Sequence, residues 1–286
     1  MARRLLIVLG PTASGKTDYA IDLALKYGSP VISCDSRQIY REMSIGTAVP
    51  DASQLSAVRH YFIRFKSVTD YYTAGMYEED AVSLSESLFA MGHETLVMCG
   101  GSMFYIDAVC KGLDSMPDAD PLLRAELSRR IREEGLESLR MDLRRLDPEA
   151  YSTIDIANPQ RVLRAVEVCM LSGKKFSSFK LAGPKKRDFE IEKIGLRRPR
   201  EELYARINSR VGKMLDAGLV DEVRSLEKFR GLPSLNTVGY KEIFDYLDGK
   251  CSLDEAAEKI CLDTRHYAKR QLTWWRRDPE IRWIDL

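Results

Sequence analysis

Among its 286 residues the chain has no apolar run long enough to cross a bilayer, which excludes a membrane-spanning helix. Histidine is scarce, with three residues far apart, and six cysteines stand singly at 34, 99, 110, 169, 251 and 261. Neither type has the paired spacing of a zinc site or a disulfide framework, and unpaired cysteines suit a reducing compartment, so the cytoplasm is the expected location. An excess of one charge is missing too: 44 Lys and Arg oppose 43 Asp and Glu, and net charge by itself points to no polyanionic partner. The distribution is less even. Residues 70–94 carry Asp70, Glu78, Glu79, Asp80, Glu86 and Glu94 with no Lys or Arg, whereas 185–200 (KKRDFEIEKIGLRRPR) and 265–277 (RHYAKRQLTWWRR) are strongly basic. A near-neutral chain with such blocks can present a one-sided positive surface. Repeats and low-complexity tracts are absent.

Short apolar runs recur between helical patterns: LLIVLG (5–10), PVISC (30–34), HYFI (60–63), TLVMCGG (95–101) and IEKIGL (191–196). Near-continuous apolar runs suit parallel strands covered on both faces, which predicts a three-layer α/β core. The start, MARRLLIVLG, has only Leu5 to Leu9 as an apolar stretch and reads as the first core strand rather than a leader. Ala20, Leu23, Ala24 and Tyr27 recur at helical spacing and meet Gly28 as a stop. From Leu113 to about Pro184 the strand signal vanishes, while Leu123, Leu127, Ile131 and then Leu136, Leu139, Leu143 mark helices. The reading is a catalytic core of 1–114 and 185–286 interrupted by a helical insertion, 115–184. A capping box, Ser252 with Glu255, opens a last long helix.

Between the first strand and first helix stands Gly10-Pro11-Thr12-Ala13-Ser14-Gly15-Lys16-Thr17, which fits G-x-x-x-x-G-K-[ST] in the context its mechanism requires. Glycines let backbone N–H groups turn toward an anion, the helix N-terminus adds positive potential, Lys16 carries full charge and the Thr17 hydroxyl can ligate Mg²⁺. The loop says phosphate without saying ATP. A P-loop hydrolase carries a second strand ending in a metal-holding carboxylate, but the matching strand here ends in Cys99-Gly100-Gly101. The nearby acid is Asp35, just past the strand PVISC, where it faces the ligand crevice of a doubly wound sheet or caps a helix N-terminus.

GPTASGKT followed by DSRQIY (35–40), GTAVP (46–50), GGSMFY (100–105), NPQRVLRAVEV (158–168), GYKEIFDYL (239–247) and YAKRQLTWWRR (267–277) resembles, in order and over nearly the whole chain, the bacterial tRNA dimethylallyltransferases. The resemblance implies a P-loop NTPase-like core with a helical insertion. It also implies transfer of a dimethylallyl group from dimethylallyl diphosphate, with Mg²⁺, to the exocyclic amine of the adenine 3′ of the anticodon. On that basis residues 10–17 hold the diphosphate, with Thr17 on the metal, and Asp35 is the general base. Of Arg206 and Arg210, four apart on one helix face, Arg210 best fits the family's diphosphate clamp. Contacts to the tRNA anticodon stem-loop map onto Asp35, Ser36, Arg37 and Gln38, onto Ser102 and Arg124, and onto Gln160, Arg161, Val162, Leu163 and Arg164. Trp274 and Trp275, beside Arg276 and Arg277, suggest a stacking and phosphate surface, with at least one tryptophan expected in the core. The chain departs from the family in three places. Val49 stands where Lys is common, Ser102 replaces a frequent Thr, and His60 is single where two histidines are common. A monomer is expected. The alternatives are a small-molecule P-loop kinase, an adenylate dimethylallyltransferase acting on free AMP, and a non-catalytic RNA-binding protein.

Overall fold

In a computed structural model that describes residues 3–179 and 183–286, six parallel strands form one sheet in the order β3-β2-β4-β1-β5-β6. The chain runs β1 (Arg4–Leu9), α1 (Lys16–Tyr27), β2 (Val31–Ser33), α2 (Ala52–Ala57), β3 (His60–Tyr61), α3 (Ala74–Ala90), β4 (Thr95–Gly100) and α4 (Met103–Lys111). Four helices follow, α5 (Pro121–Glu134), α6 (Leu136–Leu146), α7 (Pro148–Thr153) and α8 (Pro159–Ser172). The chain then continues through β5 (Glu190–Arg197), α9 (Arg200–Asp216), α10 (Leu219–Ser225), α11 (Tyr240–Leu247), α12 (Leu253–Trp275) and β6 (Ile281–Asp285).

Both faces of the sheet are covered, as the apolar runs require. Leu5, Ile7 and Leu9 pack with Tyr77 and Ala81 of α3 and Ile106 of α4, whereas Val8 packs with Ala20 and Ala24 of α1. Two expected strands are shorter and one strand is additional. The run 30–34 contributes only Val31–Ser33, although Cys34 N–H still donates to Cys99 O. The run 60–63 stops at Tyr61 because Phe62 and Arg64 adopt left-handed backbone (φ 61 and 54). An unexpected edge strand, β6, pairs with β5 and buries Ile281. Its five residues, Ile281 to Asp285, include the strand formers Ile281, Trp283 and Ile284, but the run is short and follows a charged segment.

The chain divides into two compact units, 1–111 with 186–286, and 112–185. The second unit is built from α5 to α8 around Leu127, Leu139, Leu143, Ala150, Val162, Leu163, Ala165 and Val166. Three of its helices start on an Asp or Asn followed by Pro: Asp120-Pro121, Asp147-Pro148 and Asn158-Pro159, each carboxylate or amide oxygen accepting a backbone N–H of the first turn. Pro at the first helical position has no N–H to leave unsatisfied, so the pair both caps and starts the helix. In the first unit Gly28 ends α1 in left-handed conformation, and the Ser252–Glu255 box opens α12.

Candidate active site

In this strand order, β1 is flanked by β4 and β5, and the chain changes direction across the sheet between them. Ligands of open α/β sheets bind outside the carboxyl ends of strands at such a switch point. Four strand ends meet there: the loop 10–15 after β1, Asp35 beyond β2, Gly101 after β4 and Arg198 after β5.

The loop is held open by its neighbours. Gly10 has φ 151, and a Cβ there would lie 2.5 Å from Leu196 O, so only glycine lets the loop leave β1 this close to β5. Three of its carbonyls are taken by cations: Lys16 Nζ donates to Pro11 O (2.7 Å), Arg206 Nε to Ala13 O (2.7 Å) and Arg198 Nε to Ser14 O (2.9 Å). Gly15 takes the left-handed conformation that turns the chain into α1, whose first N–H groups have no acceptor one turn back. Loop carbonyls occupied by cations, a glycine-shaped turn and a helix N-terminus make an anion cradle. Burial lowers the pKa of Lys16 to about 8, with the positive charge of Arg210 adding to the fall and the Asp35 carboxylate opposing it. The Cys99 thiol at the end of β4, where a hydrolase has its carboxylate, is pushed up by burial to about 12 and stays neutral.

Asp35 faces the crevice, and what it caps is a turn rather than the expected helix. Its Oδ1 accepts from the N–H groups of Arg37 (2.8 Å) and Gln38 (3.3 Å), capping the turn, while its carboxylate lines a cavity with Lys16, Thr17, Cys99, Arg210 and Tyr267. Ser102, in the turn after β4, accepts from Ser36 N–H (2.8 Å) and bonds the Ser36 hydroxyl (2.8 Å). Gln38 Nε2 donates to Thr47 O and Ala48 O, tying the loop 47–50 to the Asp35 turn, and Arg37 donates to Pro233 O and Ser234 O. Behind that loop the Glu222 carboxylate accepts from Ser44, Ile45 and Gly46 N–H and from the Tyr240 hydroxyl. Arg210 is partly buried. Desolvation lowers its guanidinium and Asp35 raises it.

Three cavities join here. A small one, about 90 Å³, lies between the phosphate loop and Asp35. On one side it shares Lys16, Thr17, Ala48 and Arg210 with a wider opening, which adds Arg206, Lys213 and Val49. On the other it shares Thr12, Asp35, Arg210 and Tyr267 with a cavity of about 360 Å³ that adds Ser36, Arg37, Lys241 and Arg270. His60 lines the small cavity with Nδ1 against Val58 O (2.9 Å). Burial lowers its pKa, so it is neutral with the proton on Nδ1.

Not every expected contact residue offers its side chain. In the second unit Gln160 and Arg161 are exposed in the first turn of α8, but Val162 and Leu163 are core residues, 0 % and 2 % exposed, and only their backbone could meet a partner. Arg124 and Arg164 both grip the fully buried Glu167, Arg124 through two bonds (3.0 and 2.7 Å) and Arg164 through one (2.7 Å). Trp275 is in the core, and Trp274, more exposed, donates to Asp107. Sequence reasoning missed Arg198 and Gln271, and it ranked Arg206 behind Arg210. The available signals were the Arg pair ending β5 and the four-residue spacing of Arg206 from Arg210.

The fold and this crevice define a P-loop α/β protein whose anion cradle adjoins a cavity lined by Asp35 and the cations Arg37, Arg210, Lys241 and Arg270. Residues 38–278 match the family model described as IPP transferase. The chain is 49 % identical to tRNA dimethylallyltransferase 1 of Bacteroides thetaiotaomicron over 280 residues, 98 % of this chain and 91 % of that one. Among solved structures, the tRNA isopentenylpyrophosphate transferase of Bacillus halodurans is 34 % identical with TM-score 0.71, covering 99 % of this chain and 90 % of that one. A eukaryotic dimethylallyltransferase acting on tRNA shares the fold at TM-score 0.84 and 22 % identity, covering 99 % of this chain and 74 % of that one. The chain belongs to the IPP transferase family.

Proposed function

We propose that this enzyme transfers a dimethylallyl group from dimethylallyl diphosphate to the exocyclic amine of the adenine on the 3′ side of the anticodon in tRNA, releasing diphosphate. The observation that carries the reading is the passage itself: an anion cradle and a second, larger cavity meet at Thr12, Asp35, Arg210 and Tyr267. Two substrates entering from opposite sides would react at those four residues.

The donor's diphosphate fits the α1 N-terminus, the loop amides, Lys16 and Arg210. These groups oppose the charge that grows on the leaving group as the allylic C–O bond breaks. Thr17, on the cavity wall in the first turn of α1, offers one hydroxyl, which suits Mg²⁺ because that ion takes few protein ligands beside substrate phosphate oxygens. When bound it would be held by Thr17 and the donor and would supply further charge neutralisation. The narrow passage favours transfer by excluding water from an allylic centre that water would otherwise capture. Asp35 keeps Oδ2 free of the turn it caps, available to accept a hydrogen bond from the amine. A carboxylate is too weak a base to deprotonate a neutral amine, so it takes the proton as the C–N bond forms. The adenine reaches the cavity only when extruded from its stack. Arg161, exposed at the start of α8, would hold tRNA phosphate.

The kinase and free-AMP readings have less support. Cys99-Gly100-Gly101 offers no carboxylate at the end of β4, and a mononucleotide needs no separate helical unit. The test is to incubate the protein with Mg²⁺, dimethylallyl diphosphate and unmodified tRNA, then digest the tRNA and weigh its nucleosides. A dimethylallyl increment on that adenosine alone is expected, and none with several tRNAs would overturn the reading.

A further inference from the structure

One buried side chain at the junction is accounted for by neither the phosphate-loop motif nor the reaction. Gln271, on α12, is 1 % exposed and spends both ends of its amide inside the site. Its Oε1 accepts from Thr12 N–H at 2.9 Å and its Nε2 donates to Gly101 O at 2.8 Å. Tyr267, one turn earlier on the same helix, donates its hydroxyl to that same carbonyl at 3.2 Å. A Cβ on Gly101 would lie 2.5 Å from Gln271 Nε2, so the turn after β4 is shaped to admit this amide. A buried primary amide with both ends bonded defines one geometry for whatever it joins, because losing either bond strands a buried donor or acceptor.

Gln271 therefore differs from the cations around the loop. Lys16, Arg198 and Arg206 donate to loop carbonyls, whereas Gln271 accepts from an N–H, the next one after Gly10, since Pro11 has none. Held this way, the Thr12 amide is spent on Gln271, and Thr12 itself stays at the wall shared by both cavities. The same residue fixes Gly101 on the opposite wall.

We propose that Gln271 is a positioning residue for the donor: by holding the Thr12 amide and the Gly101 carbonyl it sets the phosphate loop in its diphosphate-accepting shape. The inference rests on the diphosphate-donor reading above. It also makes the donor loop depend on α12, whose neighbouring Tyr267 and Arg270 line the acceptor-side cavity.

Two measurements test it. In Gln271→Met, similar in length but without either bond, the dissociation constant for inorganic diphosphate and the KM for the donor should both rise about tenfold, roughly the worth of one or two neutral hydrogen bonds, with the KM for tRNA unchanged. A variant that only melts earlier while both donor constants stay at wild-type values would overturn the proposal. In the wild-type protein, amide-resolved hydrogen exchange should find Thr12 N–H protected without ligand, and Gly15 and Lys16 N–H protected only after diphosphate is added. Fast exchange at Thr12 in the free protein would also overturn it, and this arm does not depend on how the variant folds. Failure of the wild type to bind diphosphate at all would sink the donor reading and this inference together, an outcome distinct from either of the others.

Discussion

Lys16 gives the reaction a pH limit that can be worked out from its surroundings. With burial holding its pKa at about 8, Lys16 is about nine-tenths charged at pH 7 and about one-tenth charged at pH 9. The charged form is the one that meets a diphosphate, so kcat/KM for the donor should fall about tenfold between those pH values, with a slope of one proton. Bound diphosphate favours the ammonium and raises its pKa, so kcat at saturating donor should hold to higher pH than kcat/KM. The assay is initial-rate kinetics from pH 6.5 to 9.5 at fixed ionic strength, with the donor varied. Of the neighbours that titrate, Cys99 lies near 12, Tyr267 above that, and His60 is shifted down rather than up, so none of them produces a limb near 8. Lys16→Arg supplies the control: a guanidinium does not titrate in this range, so its profile should be flat on the alkaline side even if its rate is lower. A flat wild-type profile, or the same limb persisting in Lys16→Arg, would refute the assignment.

Asp35→Asn keeps an acceptor for the Arg37 and Gln38 amides but removes the base, so kcat should fall ~10²–10⁴-fold while tRNA and donor binding stay near wild type in equilibrium measurements. Asp35→Ala should add a stability loss of about 1 kcal/mol from the uncapped turn, read by urea titration. Arg161→Ala should weaken tRNA binding and lower the slope of log K against log salt by about 1, with donor binding unaffected. Leu139→Ala, in the core of the helical unit, should cost ~2–5 kcal/mol and speed hydrogen exchange within 112–185 without changing diphosphate affinity.

Much of this was legible locally. The glycine loop sits between an apolar run and an amphipathic helix, and each part has a mechanism that needs no distant partner. The same holds for Gly28 at the end of α1, for the Asx-Pro starts of α5, α7 and α8, and for the capping box on α12. Strand β6 escaped because a five-residue edge strand gains its order from β5 rather than from its own pattern. Val162 and Leu163 could have been assigned to a core from their helical spacing with Val166, yet whether their side chains or only their backbone face a partner depends on α5 and α6 packing over them.

The sequence by itself determined the chemistry available: an anion cradle, a nearby carboxylate, a strand end without the hydrolase's acid, and a helical segment set into an α/β core. Those features are carried by residues within a few positions of each other, where backbone conformation and short-range hydrogen bonding decide the outcome. The tertiary structure alone decided which groups brace the cradle. Arg198 and Arg206 reach the loop from β5 and α9, Gln271 reaches Thr12 across 259 positions, and Arg124 shares Glu167 with Arg164 from a different helix. No local pattern specifies such pairs, because each forms only when burial of the apolar faces has brought the elements together and left a polar group that must find a partner out of water.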